Sequence, residues 1–378
     1  MGAIPSVSYS ITVRLQVPAG GALVSHLTTV VEQAGGLVTA LDVTASGHER
    51  LQIDVTCAAR DTDHAERLVQ AMAAVPGVVI GKVSDRTFLM HLGGKIEMNS
   101  KHPIRNRDDL SMIYTPGVAR VCLAIVKNPE DVRRLTVKRN SIAVITDGSA
   151  VLGLGNIGPQ AALPVMEGKA ALFKRFAGID AWPLCLDTQD VDEIVAVVKA
   201  VAPGFAGINL EDISAPRCFE VERRLRDLLD IPVFHDDQHG TAIVVLAALY
   251  NALRVVDKDI ENVRIVMSGA GAAGTAIIKL LLAAGVQHVV VADIDGVVHR
   301  RRDGLTGELP WLAHNTNHPG FTGSLKNAVI GADVFIGVSA PGCCPGMTSR
   351  RWRTGRSCSR SPTWSRRWTP PRRSSMRK

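Results

Sequence analysis

The sequence predicts an α/β protein with three folded parts and a tail. Three observations predict it. The first ninety residues follow a βαββαβ order, residues 110–232 alternate apolar strands with helices, and a glycine-rich turn joins a strand to a helix near residue 269. A chain of 378 residues is long enough for two or three cores, and 46% hydrophobic content is ordinary for a globular protein. No segment repeats at a fixed period.

The first part covers residues 1–90. Tyr9, Ile11, Val13, Leu15 and Val17 alternate with polar residues, the pattern of a half-buried strand. Leu23, Leu27, Val30, Val31 and Ala34 share a helical face that Gly35-Gly36 ends. Residues 37–44 and 51–57 read as two more strands. A second helix is expected from Asp61-Thr62-Asp63, with Glu66 placed for a capping box and Ala65, Leu68, Val69, Met72 and Ala73 on its buried face. Residues 78–83 return as a strand. This is the ferredoxin-like plan, and the part resembles an ACT domain. That resemblance implies a small-molecule effector, with the Pro18-Ala19-Gly20-Gly21 loop as the place where such ligands meet backbone. A dimerisation module without ligand stays open beside it.

The second part, residues 91–238, starts with a polar linker (91–105). Strands are expected at 141–146, 180–186 and 205–210, and the helix carrying Lys169 at 167–176. The third part, residues 239–342, opens with a buried helix (241–253). Then come a strand (263–267), Gly269-Ala270-Gly271-Ala272-Ala273-Gly274, a helix (275–284) and a second strand (287–292). That order is the Rossmann-type dinucleotide fingerprint: glycines permit the tight turn and close approach of a pyrophosphate at a helix N-terminus. Asp293, nineteen residues past the last glycine, is placed to accept a ribose 2′-hydroxyl and repel a 2′-phosphate, which favours NAD over NADP. Gly153-Leu154-Gly155-Asn156-Ile157-Gly158 also spells the fingerprint, but Pro159 follows and no acid lies at the required distance.

The net charge of +7 suggests a polyanion partner until it is located. Residues 343–378 hold ten Arg and one Lys without an acid; setting these eleven apart leaves 32 basic against 36 acidic residues in the body. No nucleic-acid footprint remains. The tail, rich in Arg, Ser, Pro and Trp, is expected to be disordered. Its abrupt onset fits a shifted reading frame of GC-rich DNA near position 343. Seven cysteines without a metal-ligand pairing suit a reducing compartment. With no secretion signal and no membrane span, the expected location is cytoplasmic.

Chemistry concentrates in four places. Glu211-Asp212 and Asp236-Asp237 each follow an apolar run and so sit at strand C-terminal ends, where ligands gather in open α/β sheets. Carboxylates so grouped repel unless a hard cation, Mg²⁺ or Mn²⁺, neutralises them. Lys169 lies in Leu163-Pro164-Val165-Met166-Glu167-Gly168-Lys169, and a nearby cation would depress its pKa toward that of a base. Tyr114 stands on the turn Tyr114-Thr115-Pro116-Gly117-Val118-Ala119. His235 and His239, spaced i, i+4, echo the zinc-hydrolase helix motif, but the helix is expected to start only near Thr241.

In this order the motifs, with His235-Asp236-Asp237-Gln238-His239-Gly240-Thr241-Ala242, resemble the compact bacterial malic enzymes over residues 95–342. The resemblance implies NAD-dependent oxidative decarboxylation of (S)-malate to pyruvate and CO₂, with NADP as the alternative cofactor. It implies Glu211, Asp212 and Asp237 as metal ligands, Lys169 as general base assisted by Asp236, and Tyr114 as proton donor to the substrate carbon. The nucleotide contacts would be Gly269 to Gly274 and Asp293. The substrate arginine of eukaryotic relatives is replaced here by Ala150. A homodimer is expected. In relatives the region after Ser339-Ala340-Pro341-Gly342 completes the nucleotide sheet and supplies asparagines to the substrate. Residues 343–378 carry no such motif, so weak or absent turnover is expected of this chain. A malolactic-type decarboxylase that retains NAD, an effector-binding regulator and a zinc hydrolase are the alternatives.

Overall fold

The computed structural model describes residues 4–19, 22–339 and 357–360. It divides into two compact units, one ending at Glu97 and one starting at Met98.

The first unit is β1 (Ser6–Pro18), α1 (Ala22–Gln33), β2 (Leu37–Ser46), β3 (Arg50–Ala59), α2 (Thr62–Ala73), β4 (Val79–Asp85) and α3 (Arg86–His91). The antiparallel sheet runs β2-β3-β1-β4. The alternation in β1 decides which face is covered. Val13, Leu15 and Val17 join Ile53, Val55, Leu27, Val31, Leu68 and Met72 in one core, all at 0% exposure. On the other face Arg14 grips Asp54 through two bonds of 2.8 and 2.7 Å, and Thr12 pairs with Thr56. The predicted capping box is not formed by Glu66. Asp61 is the N-cap and accepts from His64 N–H at 2.7 Å, while His64 Nδ1 reaches back to accept from Arg60 N–H at 3.0 Å. The cap sits two residues nearer the start than Glu66 requires, so a buried histidine takes the place of the reaching-back side chain. Gly20 and Gly21 of the predicted effector loop lie outside the described residues.

The second unit opens with three short helices, α4 (Arg107–Ile113), α5 (Val118–Lys127) and α6 (Asp131–Leu135), none holding a buried residue. Then follow β5 (Ser141–Thr146), α7 (Pro159–Ala177), β6 (Asp180–Cys185), α8 (Val191–Val201), β7 (Gly207–Leu210), α9 (Arg217–Leu228), β8 (Val233–His235) and α10 (Asp236–Val256). The parallel sheet runs β6-β5-β7-β8. β5 connects to β6 through α7, whereas β7 lies on β5's other side. The order therefore switches between β5 and β7, and the crevice of such a sheet opens there, beyond the strand C-termini. Ile194, Val198, Val221 and Leu225 from α8 and α9 bury against Ala143, Ile145, Ile208 and Leu210.

Three helices start earlier than the sequence suggests, among them the one after the glycine loop, expected at 275 and found from Ala272. α7 begins at Pro159, whose missing N–H costs nothing at a first helical position. α10 begins at Asp236 rather than near Thr241. Gly240 is tolerated inside it for a steric reason: a Cβ there would stand 2.4 Å from Asp236 Oδ1.

The nucleotide part continues with β9 (Arg264–Ser268), α11 (Ala272–Ala283), β10 (His288–Asp293), β11 (Gly296–Val297), α12 (Leu309–Asn315), α13 (Leu325–Ala328), β12 (Val334–Gly337) and β13 (Ser357–Arg360). The sheet order is β11-β10-β9-β12-β13. Its core joins Val245, Leu249 and Leu253 of α10 to Ile277, Ile278 and Leu281 of α11 and to Ile265, Met267 and Val291. The strand at Ser357–Arg360 departs from the expectation of a disordered tail, pairing in parallel with β12. An edge strand offers unpaired N–H and C=O groups to any extended segment, whatever its side chains. The remainder of residues 343–378, with Cys343 and Cys344, lies outside the described residues.

Residues 107–127 and 236–256 are long and apolar enough, by length and composition, to cross a membrane. The first stretch is two helices of 7 and 10 residues separated by a turn, and the second starts on two carboxylates and packs into the core just described.

Candidate functional site

Three parallel strands end side by side, and each delivers acid. β5 leads into Asp147, β7 into Glu211-Asp212, and β8 into Asp236-Asp237. α7 lays Lys169 against the last two pairs. Its Nζ donates to Asp236 Oδ2 at 2.7 Å and stands 3.0 Å from Glu211 Oε1. The room that Gly240 leaves is what lets Asp236 fold back along its own helix.

The other oxygen of Glu211 accepts from Asn209 Nδ2 at 2.9 Å. Asp212 adopts φ 53°, a left-handed backbone that Asp tolerates better than most residues. Its N–H donates to Asp237 Oδ2 at 2.9 Å. One ligand oxygen from each of Glu211, Asp212 and Asp237 falls within 4.8 Å of the others.

Electrostatics decide what this cluster wants. Burial pushes Glu211 up to about 8, the neighbouring carboxylates adding to the effect and Lys169 opposing it. Burial likewise raises Asp212 to about 7, with Asp237 next in importance. Asp237 is raised too, by burial, against the pull of His235. Asp212 Oδ2 is buried without a hydrogen-bond partner. An unpartnered buried carboxylate oxygen beside two further acids fits a hard divalent cation, Mg²⁺ or Mn²⁺. The depression expected of Lys169 belongs to the cation-bound site; the protein's own groups act on its pKa differently. Burial lowers it, but Glu211 and Asp236 outweigh burial and the net shift is upward.

Sequence reasoning missed the supports. Glu222 on α9 is 6% exposed and accepts from His239 Nε2 at 2.7 Å, His235 N–H at 3.2 Å and Gln238 Nε2 at 3.3 Å. It fixes the turn that presents Asp236 and Asp237. The His239 ring and the His235 backbone N–H therefore hold that turn, while burial lowers the pKa of the fully buried His235 ring. Asp147, 1% exposed, accepts from Ser149 and from Arg217 NH2 at 2.9 Å, tying the β5 loop to the start of α9. The acid of Glu222 sits on an amphipathic helix rich in charge, so only the fold distinguishes it from its solvated neighbours.

Tyr114 is 68% exposed at the end of α4, and its side chain does not join the network around Lys169.

The glycine loop joins β9 to α11. Gly269 N–H donates to Ala292 O at 2.8 Å, placing the loop against the end of β10. A Cβ on Gly274 would meet Gly269 O at 2.0 Å, so only glycine lets the helix start this close to the turn. A Cβ on Gly271 would meet nothing within 4 Å, so that backbone is open to a ligand. No side chain caps α11 and no acid stands in its first turn, leaving its N–H groups for an anion. Asp293 closes β10 as expected. Its carboxylate, however, is held by Arg302 at 2.8 and 2.7 Å, a partner that the sequence announced only as one of three consecutive arginines.

Known proteins resemble this chain in sequence and fold. The model of the malic enzyme N-terminal domain matches residues 93–226, and that of the malic enzyme NAD-binding domain matches residues 238–344. The NAD-dependent malic enzyme of Geobacillus stearothermophilus is 55% identical over 336 residues, covering 88% of this chain and 70% of that enzyme. A match that long must run into the N-terminal module. The bifunctional malic/malolactic enzyme of Bacillus subtilis is 54% identical over 250 residues, 66% of this chain and 61% of its own length. The crystal structure of the NAD-dependent malic enzyme of Thermotoga maritima superposes with a TM-score of 0.66 at 48% identity, covering 68% of this chain and 69% of that one. This chain thus spans between three fifths and three quarters of the length of these three relatives.

Proposed function

Because this chain belongs to the malic enzyme family, we propose that its site is arranged for the oxidative decarboxylation of (S)-malate to pyruvate and CO₂ with reduction of NAD(P)⁺. The observation that carries this reading is Lys169 held between Glu211 and Asp236 beside the three-carboxylate cluster. Glu211, Asp212 and Asp237 would hold the metal. Bound there, a hard cation would supply Lewis-acid polarisation of the substrate and offset the negative field on Lys169, and a dinucleotide on the glycine loop would supply the hydride acceptor. Lys169 Nζ then accepts the hydroxyl proton and passes it toward Asp236, its partner at 2.7 Å. Asn209 and Glu222 keep the carboxylates aimed. Tyr114 gives a proton to C3 after CO₂ departs, which requires the exposed α4–α5 segment to be brought against the site. Gly269 to Gly274 receive the pyrophosphate.

We read α4 and α5 as the face on which a second copy packs. Leu110, Met112, Leu123 and Val126 are 46%, 67%, 68% and 77% exposed, and an apolar patch of this kind marks an interface. The N-terminal module is read as an ACT-like effector domain, supported by its sheet order. The location we infer is the cytoplasm. We attribute the composition beyond Gly342 to a shifted reading frame, and with it an expectation of slow turnover. Resequencing the gene across codon 343 decides that point.

The chain incubated with (S)-malate, NAD⁺ and Mn²⁺ should form NADH, CO₂ and pyruvate in equal amounts. Lactate without NADH would overturn the oxidative reading. So would the absence of any Mn²⁺-dependent conversion in a form whose sequence continues past Gly342 as its relatives do.

A further inference from the structure

We propose that Arg302 sets the dinucleotide selectivity of this chain, admitting a 2′-phosphorylated dinucleotide beside an acid that would otherwise reject it. The inference rests on the reading of the glycine loop as the dinucleotide site. An acid that ends the second strand of such a unit works in two ways: its free oxygens accept ribose hydroxyls, and its charge repels a phosphate. Asp293 keeps little of either property. Its Oδ1 accepts from Arg302 NH1 at 2.8 Å and from the Asp295 N–H at 2.9 Å, and its Oδ2 accepts from Arg302 NH2 at 2.7 Å. One acceptor position on Oδ2 remains for a ribose hydroxyl, so NAD still has a partner.

The charge is cancelled in the same contact. The two side chains are 16% and 15% exposed, so solvent screens the pair only in part. Arg302 also reaches Asp295 Oδ2 at 3.0 Å, which anchors the guanidinium over the β10–β11 turn. A guanidinium carries five N–H donors in a planar fork and binds phosphate in the geometry it uses for carboxylate. With Asp293 occupying part of that fork, donors remain for a 2′-phosphate at the edge of the adenosine ribose. Arg302 therefore offsets one of the two acidic charges at this edge and leaves guanidinium donors for a phosphate, so that both cofactors are accepted.

The test is binding, which needs neither malate nor turnover. NADH and NADPH are titrated by fluorescence into the unmodified chain, Arg302→Ala and Asp293→Asn, at two salt concentrations. The unmodified chain should bind both within about tenfold of each other. Arg302→Ala exposes the Asp293 charge and should weaken NADPH at least about tenfold more than NADH. Asp293→Asn leaves Arg302 with Asp295 as its one charged partner and should shift the ratio the other way, which keeps the test open if the first variant misfolds. An unchanged ratio in both folded variants overturns the inference and leaves the site reading intact; so does an unmodified chain that rejects NADPH more than about a hundredfold. Failure of the unmodified chain to bind either dinucleotide overturns the site reading, and the inference with it.

Discussion

Metal-free protein should lose stability as pH rises from 6.5 to 8, and a divalent cation should abolish that loss. The perturbation is proton removal from Glu211 and Asp212, which are 5% and 3% exposed. Burial lifts Glu211 from 4.5 to about 8 and Asp212 from 3.8 to about 7. A carboxyl whose folded-state pKa lies above its unfolded value holds a proton in the fold that it lacks when unfolded. Stability therefore falls as pH rises between the two values. His235 acts in the opposite sense, because burial holds it neutral, but only below its ordinary 6.5. Lys169, raised from 10.5, is charged in both states throughout this window and adds no slope. Between pH 6.5 and 8 the carboxyls act alone. A tenfold change in proton affinity is worth about 1.4 kcal/mol, so Glu211 by itself costs about 2 kcal/mol across the window. For a unit of this size that lowers Tm by about 4 to 8 °C. Thermal denaturation in chelator at stepped pH measures it. Adding Mn²⁺ to a hundred times its Kd should restore about 2.7 kcal/mol at pH 8. A Tm that stays flat or rises over this window, or one that Mn²⁺ does not move, refutes the reasoning.

Three substitutions probe the site from different sides. Lys169→Met should lower kcat on the order of 10²- to 10⁴-fold while Mn²⁺ binding persists, read by steady-state kinetics beside a metal titration; near-normal turnover would remove Lys169 from the chemistry. Glu222→Gln keeps the shape but weakens three hydrogen bonds to the 235–239 turn. It should loosen Mn²⁺ about tenfold with little change in NADH affinity, whereas equal loss of both would point to general unfolding. Gly274→Ala drives a Cβ to 2.0 Å from Gly269 O and should abolish NADH binding while leaving Mn²⁺ uptake unchanged; retained NADH affinity would place the dinucleotide elsewhere.

The parts of this site that strand ends determine were legible in the sequence. An apolar run followed by two acids can lie only at the end of a buried strand, so Glu211-Asp212 and Asp236-Asp237 announced one edge of one sheet. The glycine loop was legible for a similar reason, because strand, turn and helix are contiguous. What escaped depends on contacts between distant residues. Glu222 looks like any acid on a polar helix face until the fold sets the 235–239 turn against it. Asp293 reads as a free acid because Arg302 reaches it only after the chain turns through β11. The early start of α10 escaped because glycine inside a helix normally argues against continuation, and the carboxylate that occupies its missing Cβ position is four residues away. Lys169 was expected to be depressed by a cation; the protein's own acids, taken alone, raise it.

We infer that Glu211, Asp212 and Asp237 form one hard-cation site beside Lys169. Calorimetric titration of Mn²⁺ into the unmodified chain and into an Asp212→Asn, Asp237→Asn double variant tests it most directly. One ion per chain should bind to the unmodified protein and none to the folded double variant. Uptake that survives the double substitution unchanged, or no uptake by the folded unmodified chain, would contradict it.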